Sequence, residues 1–296
     1  MSSSTSSAWT WPSTELDKLC IDVAVYNARV MGAAHSENVV ELACRTALAY
    51  RGVAHVTMPV DVQDQVITQD ERTRRNLPHH VSDEMGRQHS LPSEARLGLA
   101  GEILNGAKKP AILAGQGALK AGKQLAEIDE RLGAPIAKAL LGKAALADDS
   151  PYARGGIGVL GTRPSQEALE ECDALLIVGS SFPYIEFYPE PGRARIVQID
   201  HDPKRIGLRA PVECPLVGAA AVLEALLAKV VMHDDRSFLE RARKRMKAWN
   251  ELLEERWTRT GSPMKPQVVA RELNKLLTND AIVATDSSRR GGQVNG

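Results

Sequence analysis

The amino-acid sequence predicts an α/β fold in which a parallel sheet is covered by helices on both faces. Three observations carry that expectation. Short, almost wholly apolar runs, such as Pro110–Ala114, Ala174–Val178 and Ala194–Ile199, recur through the middle of the chain. Segments with apolar residues at helical spacing separate them. Glycines follow several of the runs directly, at the carboxyl ends where parallel sheets bind ligands. From about Lys109 to Leu227 these features describe one Rossmann-like unit, flanked by α/β segments that read as partial.

Composition bounds the function classes. The 296 residues suffice for two domains of about 150 residues each. Hydrophobic residues make up 43% and charged residues 25%, an ordinary balance for a soluble chain with a core. Lysine plus arginine equals aspartate plus glutamate, 37 each, so nothing favours nucleic acid or an anionic membrane as partner. Cys20, Cys44, Cys172 and Cys214 are scattered with no CxxC pair, which points to reduced thiols and away from a zinc site or disulfide framework. No apolar run reaches the roughly 20 residues of a membrane helix. Met1–Thr10 lacks the basic and apolar regions of a signal peptide, and the cytoplasm is the expected compartment.

Taken in order, residues 1–20 read as a disordered tail. Residues 21–65 hold a strand-like run at Asp22–Tyr26 and a helix over Ser36–Tyr50, with Val39, Val40, Ala43, Ala47 and Leu48 at helical spacing and Ser36 as N-cap. Gly52 ends the helix, and Val53–Met58 is a strand stopped by Pro59. Residues 66–92 are a polar linker in which His79 and His80 are expected to be solvated. The central unit, 93–230, contains strands at Pro110–Ala114, Pro135–Ala137, Ala174–Val178 and Ala194–Ile199. Its helices fall at Ala121–Leu132, Gln166–Glu171 and Ala219–Lys229. Over 231–296, a long amphipathic helix from Arg236 to Thr258 precedes a second helix, Val268–Leu277, and a strand, Ala281–Ala284.

Candidate chemistry sits at the strand ends. Gly115 and Gly117 let backbone approach a phosphate ahead of a helix N-terminus, and equally suit a tight strand-to-helix turn. Gly155–Pro164 is glycine-dense and includes Gly161, Thr162 and Arg163; it suits an anionic cofactor or a plain crossover. Gly179, with Ser180 and Ser181, offers amides and hydroxyls after the most apolar strand. Asp200 ends the next strand, where a carboxylate can bind ribose hydroxyls or cap the turn before Pro203. No catalytic triad, paired-carboxylate site or metal cluster stands out. A dehydrogenase reading would need a dedicated substrate domain with a catalytic His or Tyr/Lys pair, and none is legible.

The residues also resemble a known family. Val25-Tyr-Asn27, Leu42–Ala49, Arg51–His55 and Pro59–Val62 resemble the end of the pyrimidine-binding domain of thiamine-diphosphate-dependent enzymes, in the pyruvate oxidase, pyruvate dehydrogenase (quinone) and acetolactate synthase branch. Lys109–Gly117, Gly161-Thr162, Val178-Gly179 and Gln198–Pro203 resemble their central domain, and Pro266–Ser287 the entry to their diphosphate-binding domain. The resemblance implies chemistry on a small 2-oxoacid, thiamine diphosphate with Mg2+, and homo-oligomers in full-length relatives. It also implies FAD on the central domain of flavin-dependent members, with Gly115, Gly117, Gly161, Thr162, Gly179 and Asp200 as contacts. Three departures stand out. The chain contains no Gly-Asp-Gly motif for Mg2+, and the family's activating glutamate would lie before residue 20. Ala219 stands where the family's Gly-Asp-Ala has its aspartate, which weakens the FAD assignment. The expectation is therefore a partial 2-oxoacid decarboxylase or oxidase, inactive as this isolated chain and with no catalytic residue assigned. The alternative is a non-catalytic module that binds flavin or adenine nucleotide.

Overall fold

The computed structural model describes residues 16–67, 91–218, 220–259, 261–278 and 280–284. The His79-His80 pair, Ala219, most of the expected linker and the run after Ala284 lie outside the described residues. The chain divides into two compact units, Met1–Gln88 and His89–Gly296.

In the first unit, helix α1 (Leu16–Leu19) precedes strand β1 (Ala24–Arg29), helix α2 (Ala33–Tyr50), strand β2 (Val53–Thr57) and helix α3 (Val60–Gln63). β1 and β2 pair in parallel, and Val30, Val39 and Val62 form a small buried cluster between them and the helices. α2 starts earlier than expected, at Ala33 with Gly32 at the N-cap. Ser36 is therefore not the cap. Its Oγ donates to Ala33 O at 2.6 Å inside the first turn, a backbone bond that suits a hydroxyl within a helix. Arg51 closes the helix in the left-handed region, φ 49°, with its N–H donating to Ala47 O.

The second unit is built on six parallel strands. In chain order these are β3 (Pro110–Ala114), β4 (Ile136–Lys138), β5 (Ala153–Gly156), β6 (Ala174–Val178), β7 (Arg195–Asp200) and β8 (Cys214–Val217). Their spatial order is β5-β4-β3-β6-β7-β8. Every residue of β3 and β6 is buried, as their unbroken apolar sequences require of central strands. Side-chain alternation sorts them into two layers. Ile112, Leu176, Val178, Val197 and Ile199 face a cluster closed by α4 (Glu94–Asn105), α5 (Gly122–Leu132) and α7 (Ala220–Leu227). Leu113, Leu175, Ile177 and Ile196 face a second cluster with Leu169 of α6 (Arg163–Glu171) and Phe238 of α8 (Ser237–Thr258).

Ion pairs and caps fix the helices on this frame. Arg245 of α8 reaches Glu167 at 3.2 Å and Glu171 at 2.7 Å on α6. Arg131 Nη1 donates to Leu227 O and Val230 O, a cation placed on the carbonyl end of α7. α9 (Pro266–Leu276) follows α8. The expected strand Ala281–Ala284 does not form: Ile282 is 98% exposed, and a parallel strand with no neighbour has no ladder to hold it.

Candidate nucleotide site at the sheet switch point

Numbered from its own first strand, the sheet has the order 3-2-1-4-5-6, so the direction in which successive strands are added reverses between β3 and β6, which themselves run parallel. In open α/β sheets that switch point opens the crevice where ligands bind. Gly115 and Gly117 leave β3, Gly179 leaves β6, and the three meet there. A Cβ on Gly179 would lie 2.4 Å from Gly117 Cα, and one on Gly115 would lie 2.3 Å from Gly179 O. Gly179 also has φ 56°, in the region where glycine carries no penalty.

These glycines work by close approach, because their own amides are committed. Gly115 N–H donates to Val178 O at 2.9 Å, Gly117 N–H to Gly179 O at 3.0 Å, and Gly179 N–H to Ile199 O at 2.8 Å. The neighbouring amides of Gln116, Ser180 and Ser181 carry no hydrogen bond among the described residues. The helix dipole is displaced from this point. A 3-10 turn, Gln116–Ala118, follows β3, and α5 begins only at Gly122.

Asp200 ends β7, one strand beyond β6, and is 3% exposed. Its Oδ1 accepts from the Asp202 amide at 3.0 Å and lies 3.3 Å from His201 Nδ1, while Oδ2 accepts no bond among the described residues. The turn-capping expectation is thus met by a bond to Oδ1. Gly161 and Thr162 lie apart, after the edge strand β5. A Cβ on Gly161 would meet Gly156 O at 2.5 Å, and Thr162 caps α6 by accepting from Ser165 N–H. Arg163 forms an ion pair with Glu167 at 2.8 Å.

Two residues of this edge are not legible as site residues from sequence. Gly142 lies on the turn after β4, where a Cβ would meet Ala114 O at 2.5 Å; a glycine four residues past an apolar strand is the available signal. Gln198, buried in β7, binds Ser180 O, Arg205 O and the Gly207 amide. On the α6 face, the loop after β6 carries Phe182, Tyr184, Phe187 and Tyr188 in mutual ring contact. Tyr188 Oη donates to Phe182 O, and burial pushes its phenol up to about 12. No group of three His, Cys, Asp or Glu side chains is placed to hold a metal among the described residues.

A doubly wound parallel sheet with helices on both faces is the architecture of a Rossmann-like α/β domain. Residues 98–228 match the family described as "Thiamine pyrophosphate enzyme, central domain". Residues 98–228 thus carry the central domain of the thiamine-diphosphate-dependent enzyme family. The chain is 34% identical over 273 residues to the Bacillus subtilis (strain 168) protein YdaP, whose name describes it as thiamine pyrophosphate-containing; the match covers 92% of this chain and 46% of YdaP. It is 30% identical over 270 residues to a pyruvate oxidase of Lactiplantibacillus plantarum, covering 90% and 43%. It is 29% identical over 256 residues to a probable acetolactate synthase large subunit of Methanocaldococcus jannaschii, covering 79% and 41%. The chain thus spans somewhat under half the length of these curated relatives. Among the described residues no helix is long and apolar enough to cross a membrane.

Proposed function

We propose that this polypeptide provides the central domain of a thiamine-diphosphate-dependent 2-oxoacid decarboxylase, oxidase or synthase, and that its sheet switch point binds the diphosphate of an adenine nucleotide such as FAD. The observation that carries the reading is the contact of Gly115 and Gly117 with Gly179, which leaves the amides of Gln116, Ser180 and Ser181 unbonded beside it. Three uncommitted backbone donors at one crevice suit phosphate oxygens. Asp200 Oδ2 would accept from ribose hydroxyls. Gly161 and Thr162 would serve by shaping the α6 entry rather than by direct contact. When bound, thiamine diphosphate supplies an electron sink for loss of CO2 from a 2-oxoacid. The described residues supply no metal cluster for it, so no step of that chemistry is assigned to them.

Titration of the purified chain with FAD and ADP tests the site. Saturable binding, with visible flavin colour retained through gel filtration, is expected; no heat and no retained flavin would sink it. A second measurement addresses the chemistry. Because the sequence holds no Gly-Asp-Gly run, CO2 release from pyruvate with thiamine diphosphate and Mg2+ should stay at the no-protein rate for this 296-residue polypeptide. Turnover above that rate would overturn the assignment of catalysis to residues other than these.

A further inference from the structure

The geometry points to Gln198 as the positioning residue of the nucleotide crevice, the side chain that holds the Ser180 and Ser181 amides toward a bound diphosphate; this rests on the nucleotide reading above. Gln198 sits in mid-strand β7 and is 4% exposed, where an apolar residue would be the ordinary occupant. Its amide makes three hydrogen bonds. Nε2 donates to Ser180 O at 3.3 Å and to Arg205 O at 3.1 Å, and Oε1 accepts from Gly207 N–H at 3.0 Å. One side chain therefore joins the loop after β6 to the loop after β7.

The Ser180 end of this brace is where position matters. The space that a side chain on Gly115 would need is already occupied, with Ser180 Cα 2.7 Å from where its Cβ would fall. Ser180 is thus held between the Gly115 backbone on one side and the Gln198 amide on the other. Ser180 Oγ accepts from the Phe182 amide at 3.3 Å, so it bends the loop and leaves the Ser180 and Ser181 amides for a ligand. A buried amide bonded through both donors and its oxygen favours one arrangement of its neighbours. An apolar side chain of the same length would keep the core filled and release the loop.

Gln198→Met and Gln198→Glu in the full 296-residue chain test this, with ADP and adenosine as probes. Glutamate keeps the acceptor for Gly207 N–H but presents a carboxylate oxygen to two carbonyls. Calorimetric titration should show ADP affinity reduced about tenfold or more in both variants, a change of about 1.4 kcal/mol, because two amides facing the diphosphate lose their placement together. Adenosine affinity should be unchanged, so that the preference for the diphosphate collapses. Hydrogen exchange at Phe182, whose amide is bonded to Ser180 Oγ, should accelerate in both variants, and exchange at Gly207 in Gln198→Met. A purely structural role would weaken both ligands together and lower the melting temperature in step; that result overturns the proposal. Unaltered exchange at both loops overturns it also, whether or not the wild type binds ADP. Failure of the wild type to bind ADP, with exchange accelerated in the variants, overturns the nucleotide reading and leaves Gln198 as the brace between the two loops.

Discussion

At Gly179, backbone geometry and packing demand the same residue. A side chain there would have φ 56° and would place Cβ 2.4 Å from the Gly117 Cα, which is backbone and cannot rotate away. Gly179→Ala should destabilise by roughly 2–5 kcal/mol, combining a left-handed penalty of about 1–2 with overpacking of about 1–3. Chemical denaturation reads this directly, and a loss below about 1 kcal/mol would show that the two loops do not touch as described. Lys138 makes a different demand. It is 2% exposed at the end of β4, with Nζ donating to Leu146 O at 2.8 Å and to Asp148 Oδ1 at 2.5 Å. Burial alone would push the Asp148 carboxyl up, but hydrogen bonds from Lys138 and Lys143 outweigh it and hold it below its ordinary value of 3.8. A depressed carboxylate adds stability above its unfolded titration, and that stability disappears as pH falls through the folded value. Asp148→Asn should therefore lower the melting temperature at neutral pH by about 2–4 °C, a modest figure because the carboxylate is largely solvent-screened. The difference from wild type should close below about pH 4. A gap that persists unchanged into acid would refute the ion-pair account.

The elements show what a sequence makes legible. β3, β6 and β7 occupy central places in the sheet, and their burial on both faces forces the apolar runs that announce them. β5 and β8 are the two edges. The end of β5, Gly155 and Gly156, reads as the start of the glycine-dense loop Gly155–Pro164, and Cys214–Val217 contains Pro215, which a central ladder would not accept. Edge strands carry weaker constraints, so they carry weaker signals. The site divides in the same way. Glycines after central strands are visible from spacing, and the structure brings Gly115, Gly117 and Gly179 into contact. Gln198 is hidden because a polar residue inside a strand declares its role only through three partners distant in sequence. The cap of α6 offers a test at this scale. Thr162 Oγ1 accepts from Ser165 N–H, so Thr162→Ala should cost about 1 kcal/mol and Thr162→Ser much less. Equal losses in the two variants would place the threonine's contribution in its methyl group rather than its oxygen.

Across the whole molecule, the two units rest on very different amounts of sheet. The second has six parallel strands buried between helices, with Leu175 and Leu176 of β6 fully inaccessible on opposite faces. Among the described residues the first has two parallel strands, and its apolar Val25 and Val53 are 48% and 56% exposed. Parallel strands gain their stability from burial on both faces, and a two-stranded sheet is marginal by itself in water. Their protection against exchange should separate accordingly. Amides of β3 and β6 should exchange only through global opening, while those of β2, Val53–Thr57, should exchange through local opening at least about a hundredfold faster. Leu176→Ala sharpens the contrast. It removes a side chain from the centre of the larger core and should cost about 2–5 kcal/mol there, accelerating β3 and β6 together. Exchange at β2 should be unaltered by it if that unit opens independently. Acceleration of all eight strands by the same factor would instead mean that the chain unfolds as one cooperative body, with the first unit held at the stability of the second.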